Sequence, residues 1–252
     1  MSESAAGHNH FSLLALISAR LAKPLSFVHD DFLTLDTFDA LKVRSLASHP
    51  AFENAINRAV CRKMALERDV ATTEFLHALK IDSSLTRAAR LALAPRPVLD
   101  DCARHVAAAK LHPQILKCIF RADKQRVREL LGEDAYMTAT REAPAFHPNI
   151  PTIGHEVSLD LMLKPYTQPQ TDAGENQDEA VTKPHSDSDN PAVILGLNLM
   201  LLYVRSAHHA LGRLLELALP RAASENVVKP APLSQEQRTS LGRLIDRKGA
   251  LA

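Results

Sequence analysis

Apolar side chains along this chain return every three to four residues, the spacing of a helix with one buried face, and rarely every second residue as in a half-buried strand. Over 49–80, Ile56, Val60, Met64, Leu66 and Val70 recur in this way with charges between them. The spacing loosens at Ala71, Thr72 and Thr73, so one long helix or two shorter ones fit equally well. Asp82, Ser83 and Ser84 offer caps for a helix through Leu93, which the APRP stretch at 94–97 should stop. Asp100 and Asp101 would open the next helix, ending near Pro113. From Gln114 the chain continues as QILKCIFRADKQRVRELLG, one bent helix or two, with Asp123 available to cap the second. A strongly apolar segment from Pro191 predicts a helix to about Leu219, stopped by Pro220. The last helix runs from Ser234 to about Arg247; its SQEQ start has the form of a capping box, Ser234 as cap and Gln237 three residues on.

One stretch breaks the pattern. Residues 167–190, TQPQTDAGENQDEAVTKPHSDSDN, are polar, acidic and broken by prolines, with too little apolar surface to offset the entropy of ordering. The expected fold is therefore all-α: a compact irregular helical bundle with a body at 1–166, a flexible acidic loop at 167–190, and C-terminal helices at 191–252 packing back on the body. No internal repeat is visible.

Composition sharpens this picture in three ways. With 252 residues and 46% hydrophobic content, the chain is long enough to bury a core without disulfides. Aromatic content of 4% with no Trp favours helices packed through Ala and Leu over a β-sandwich. The net charge of +1 gives no global attraction to nucleic acid or membrane, so any such pull has to be local. Cys61, Cys102 and Cys118 are odd in number and widely spaced, which suits a reducing compartment. The apolar stretch 11–17 lacks a preceding basic region, with Arg20 and Lys23 following it, so it reads as a cytosolic start and not a secretion signal. The apolar run 192–204 is short of the ~20 residues a bilayer needs and reads as a buried helix.

Candidate chemistry is sparse. Cys102 and His105 share a helix face, with His112 and Cys118 further on, but Pro113 intervenes and no second tight ligand pair exists. Adjacent His208 and His209 point about 100° apart, and His8 and His10 lie in a terminus expected to be frayed and exposed. No metal and no cofactor are expected. Nucleophile elbows, phosphate-cradling glycine loops and the H-E-x-x-H motif are absent, which argues against an enzyme. The most specific feature is a basic face. Lys117, Arg121, Lys124 and Arg128 would form one stripe on a continuous helix, while Leu116, Ile119, Phe120, Val127, Leu130 and Leu131 would dock it on a core. Such a stripe suits an acidic protein partner or a polyanion, or is simply a solvated face. Aromatic and Gly residues are not interleaved with the cations, so nucleic acid is not the expected ligand.

In VRELLGEDAYMTATREAP, Gly132 has the place of a left-handed helix stop, and Glu133 and Asp134 fall in the first turn of the next helix, where the dipole favours carboxylates. As neighbours they point apart, a poor acid pair. This stretch, with CIFRAD before it, resembles the K-type accessory proteins of type III secretion systems (the SctK/YscK family, including its nodulation-associated members). The likeness extends to LAKPLSFVHDDFL with Pro24 and His29, to RPVLDDCARHVAAAKLHPQILKCIFR, and to LGLNLMLLYVRSAHHALGRLLELALP. The 49–80 region and the acidic insertion do not follow the family pattern. The resemblance implies a non-enzymatic cytosolic adaptor of the sorting platform. Its partners would be the cytosolic domain of the inner-membrane ring protein and the pod protein of the C-ring-like assembly, reached by peripheral association at the cytoplasmic face of the inner membrane. The alternative is a helical RNA- or phosphate-binding regulator that uses the same basic stripe.

Overall fold

The computed structural model describes residues 3–35, 37–66, 73–154, 156–164, 190–225 and 232–248. These are helical almost throughout, and the one β feature among them is an isolated bridge between Leu35 and Phe38. In chain order the helices are α1 (Glu3–Ala22), α2 (Ala40–Ala47), α3 (Pro50–Lys63), α4 (Thr73–Ile81), α5 (Ser83–Leu93), α6 (Arg96–Ile115) and α7 (Arg121–Leu131). There follow α8 (Glu133–Met137), α9 (Ala143–Phe146), α10 (Leu159–Leu163), α11 (Pro191–Ala207), α12 (His209–Ala218), α13 (Arg221–Glu225) and α14 (Gln235–Lys248). The all-α expectation holds. No helix of the described residues is long and apolar enough to cross a membrane. Of the acidic stretch expected as a loop, 167–189 lie outside the described residues, while Asn190 caps α11.

The architecture is built on one helix pair. α6 and α11 pack along much of their length, with α5, α12, α13 and α14 around them and α7, α8 and α9 on the remaining flank of α6. Small side chains make this pairing close: α6 buries Ala103, Ala107, Ala108 and Ala109, and α11 meets it with Gly196. A Cβ at Gly196 would stand 1.9 Å from the Ala103 carbonyl oxygen, so two backbones are in direct contact at this crossing. Apolar packing divides into two clusters that share both central helices. The larger gathers Val106 of α6, Leu197, Met200, Tyr203 and Val204 of α11, and the buried faces of α1, α3, α5, α12 and α14. The smaller joins Leu111 and Ile115 of α6 to Val127 and Leu131 of α7, Tyr136 of α8, Leu159 of α10 and Ala192 of α11.

Local chemistry accounts for most helix boundaries. The 49–80 segment resolves into two helices, α3 capped by the His49 ring and α4, with 67–72 between them outside the described residues. Asp82 caps α5, accepting from the backbone N–H groups of Ser84 at 2.8 Å and Leu85 at 3.3 Å. In α14 the capping box forms reciprocally: Ser234 N–H donates to Gln237 Oε1 at 2.9 Å, and Gln237 N–H to Ser234 Oγ at 3.2 Å.

Four expectations are corrected. The APRP stretch ends α5 but also starts α6, which begins at Arg96 with Pro97 in its first turn, ahead of Asp100 and Asp101. Pro113 does not end α6. It deprives the Ala109 carbonyl of its helical donor, and the His112 ring takes that place, Nδ1 lying 3.0 Å from Ala109 O. The segment after Pro191 is not one helix: His208 is extended (φ −159°, ψ 122°), and α12 folds back on α11, with Gly212 leaving room for Arg205 beneath it. Gly132 has positive φ (86°) as expected of a stop, but its ψ of 157° is outside the left-handed helical region.

Candidate functional site

The four cations Lys117, Arg121, Lys124 and Arg128 do not share one helix. α6 ends at Ile115, and the chain turns through 116–120 before α7 begins at Arg121, capped by the Phe120 backbone and not by Asp123. Lys117 therefore sits in the corner, while Arg121, Lys124 and Arg128 line one exposed side of α7 at spacings of three and four. They also differ in what they touch. Arg128 is engaged locally: its guanidinium lies 3.5 Å from Glu133 and stacks 4.8 Å over the Tyr136 ring. Among the described residues, no ion pair involves Lys117, Arg121 or Lys124.

The apolar side of this region departs furthest from expectation. Val127 and Leu131 are buried as predicted and Leu130 half-buried, but Leu116, Ile119 and Phe120 do not reach the core. They are 53%, 81% and 72% exposed, three large apolar side chains within a five-residue corner. The break between α6 and α7 explains this. The two helices approach through Ile115 and Val127, and the residues connecting them face outward. The corner is nonetheless held firmly. Leu116 N–H donates to His112 O at 3.0 Å, Lys117 N–H to Gln114 O at 3.0 Å and Cys118 N–H to Ile115 O at 3.1 Å, while Lys124 N–H returns to Phe120 O at 3.2 Å. Half-buried Cys118 points its Sγ at Gln114 O, 3.6 Å away, and burial pushes its thiol up, with the Asp123 and Asp160 carboxylates adding to the shift. It is a poor nucleophile here.

Several polar side chains inside the fold tie its elements together. On α6, Lys110 and Gln114 lie one turn apart and together hold the backbone of Pro151, Ile153, Val157 and Leu159. Lys110 Nζ donates to Pro151 O and Ile153 O, each at 2.6 Å, and Gln114 exchanges bonds with Val157 O at 2.6 Å and Leu159 N–H at 2.7 Å. Burial lowers the Lys110 pKa, an effect the nearby Glu156 opposes. Arg87 of α5 bridges to Asp246 of α14 at 2.6 Å and to the Tyr203 hydroxyl of α11 at 2.8 Å, and the Asp246 bond raises its pKa. Along the seam between α6, the π-helical turn Thr138–Glu142 and α14, His105 Nδ1 meets Thr138 Oγ1 at 2.9 Å. In the same seam His147 Nδ1 meets Ser240 Oγ at 3.4 Å, and Lys248 donates to Glu142 at 3.0 Å. Burial depresses both histidines. Although Ser240, His147 and Glu142 are the residue types of a hydrolytic triad, Ser240 is buried, and the cavities described next open elsewhere.

Those cavities offer little chemistry. One of about 280 Å³ is lined by Lys23, Arg44, Glu53 and Asn57, but Lys23 pairs with Glu53 and Arg44 with Asp30. Another of about 20 Å³, beside Leu21 and Leu214, is too small for anything larger than a water molecule. No group of three His, Cys, Asp or Glu side chains suited to a metal occurs among the described residues. Cys102 is buried with its thiol pushed up to about 12 by desolvation, and His105 and His112 are occupied by Thr138 and Ala109 O. His10, expected in a frayed end, is half-buried on α1, while the side chain of His8 lies outside the described residues.

The cations of this corner are legible in the sequence, whereas its apolar residues carry the spacing of core positions. Leu116, Ile119 and Phe120 keep helical phase with Val127, Leu130 and Leu131, so the spacing carries no sign of their outward turn. Comparison with protein-family models, with curated proteins and with solved structures finds no match to this chain.

Proposed function

We propose that this protein is a non-enzymatic adaptor that docks other proteins, and that it acts in a type III secretion sorting platform. There it would join the cytosolic domain of the inner-membrane ring protein to the C-ring-like pod protein at the cytoplasmic face of the inner membrane. The observation that carries the docking role is the α6–α7 corner, where Leu116, Ile119 and Phe120 are exposed beside Lys117, Arg121 and Lys124, which have no ion-pair partner among the described residues. Contiguous exposed apolar side chains rimmed by charge mark protein interaction sites. The assignment to secretion rests on the resemblance of the VRELLGEDAYMTATREAP region and its flanking segments to the K-type family. A phosphate- or RNA-binding role would use the cations alone, and the apolar corner would only add exposed hydrophobic surface to it.

The test is co-expression of the full chain with the pod protein and with the cytosolic domain of the ring protein of the same secretion system, followed by affinity capture at physiological salt. Stable co-purification with at least one supports the reading. Capture of neither overturns the secretion assignment.

A further inference from the structure

We infer that the α6–α7 corner receives a single acidic amphipathic helix from a partner protein, and that its epitope is Leu116, Lys117, Ile119, Phe120, Arg121 and Lys124, with Arg128 excluded. This rests on the docking role proposed above and specifies what is docked.

Three features define the partner. First, the apolar part is narrow. Three exposed apolar side chains within one five-residue corner match a single partner element better than a broad face. Second, cations are set among and after the apolar residues in sequence, Lys117 between Leu116 and Ile119, Arg121 and Lys124 beyond Phe120. An amphipathic helix has the matching layout: an apolar stripe at i, i+3, i+4 and i+7 bordered by carboxylates. Third, the corner is preorganised. Its backbone hydrogen bonds to His112, Gln114, Ile115 and from Lys124 hold it in place, so little ordering entropy is lost on binding. Arg128 falls outside because Glu133 and the Tyr136 ring already occupy it.

The test is fluorescence anisotropy of the full chain with a labelled helical peptide of about 18 residues, Leu at the stripe positions and Glu on the flanks. Controls are a scrambled peptide of the same composition, poly-glutamate and a single-stranded RNA oligonucleotide. The amphipathic peptide should bind in the micromolar range at low salt and several-fold more weakly at 300 mM. The variant Leu116→Ser/Ile119→Ser/Phe120→Ser should bind it at least tenfold more weakly, and so should Lys117→Glu/Arg121→Glu/Lys124→Glu, whereas Arg128→Gln should change binding less than twofold. All positions are exposed, and far-UV circular dichroism checks that each variant is folded. Equal binding of the scrambled peptide or poly-glutamate, or tighter binding of RNA, overturns the proposal. So does a wild-type chain that sediments as a dimer when the serine variant is a monomer, because a second copy then covers the corner. The secretion reading fails separately. Peptide binding without co-purification of a platform protein removes that reading and leaves the corner; co-purification that survives the serine variant removes the corner and leaves the reading.

Discussion

At the scale of residues, the His112–Pro113 pair shows how one side chain compensates for its neighbour. Pro113 removes a helical donor inside α6, and the His112 ring serves the abandoned Ala109 carbonyl at 3.0 Å. The two residues should therefore be coupled. His112→Ala in the native background leaves a buried carbonyl unserved and should cost about 1–2 kcal/mol. In a Pro113→Ala background, where the residue-113 N–H can bond Ala109 O, the same change should cost about 1 kcal/mol less. Denaturant melts of the four proteins measure this; equal costs in both backgrounds would remove the ring from its assigned role. The buried histidines His105 and His147 predict a pH dependence. Desolvation lowers both, helped at His105 by Lys248 and opposed by Asp101, Asp134 and Glu142, and at His147 opposed by Glu142 and Ser240 and helped by Arg243 and Arg247. Their unfolded value is about 6.5, so below it the unfolded chain takes up protons that the fold resists. The stability they confer is complete above about pH 6.5 and is lost as pH falls from there toward the folded values. The Tm measured from pH 7.5 to 5.5 should fall by several degrees more for the native chain than for His105→Gln/His147→Gln.

At the scale of elements, two glycines separate crowding from backbone strain. Gly196 lies where α11 meets the Ala103 backbone, and a Cβ there would be 1.9 Å from a carbonyl oxygen with no flexible side chain to yield. Gly196→Ala forces the two central helices apart and should cost more than about 3 kcal/mol. Gly132 has open space around it, and Gly132→Ala should cost only the strain of its positive φ, about 1–2 kcal/mol. Comparable losses from both would show that helix crossing is looser than described. Much at this scale was legible in the sequence. The Asp82 cap, the Ser234–Gln237 box and the glycine–acid start of α8 are local signals, and each lies where its chemistry put it. The misreadings arise where a neighbouring side chain or tertiary packing overrides the local signal. Pro113 reads as a stop unless the His112 ring is seen over Ala109 O, and α11 and α12 read as one helix because the break at His208 is set by packing of α12 on α11 and α5. The candidate corner was half legible for the same reason. Charge is visible in a sequence, but the outward turn of Leu116, Ile119 and Phe120 follows from where α6 and α7 meet.

At the scale of the whole molecule, the question is whether 1–166 forms a body to which the C-terminal helices are added. The packing places α11 at the centre: Leu197, Met200, Tyr203 and Val204 complete the larger cluster, Ala192 enters the smaller, and Asn190 Nδ2 donates to Leu130 O at 2.9 Å across to α7. α14 adds a second tie, since Asp246 holds Arg87 and Lys248 holds Glu142. Without these helices α6 would expose its row of alanines along with Val106, and Arg87 would lose both its carboxylate and the Tyr203 hydroxyl. A fragment ending at Lys164 should therefore lack fixed tertiary structure even though α5 to α8 are intact in sequence. Expressed alone, it should bind a hydrophobic dye, show helical far-UV dichroism with a non-cooperative melt, and lose dispersion in its amide spectrum. Co-expression with a fragment starting at Asn190 should restore a cooperative transition, because the central helix pair can form without a covalent link. A fragment that melts cooperatively on its own would mean that the clusters around α5, α6 and α7 suffice, and that α11 covers a core already formed.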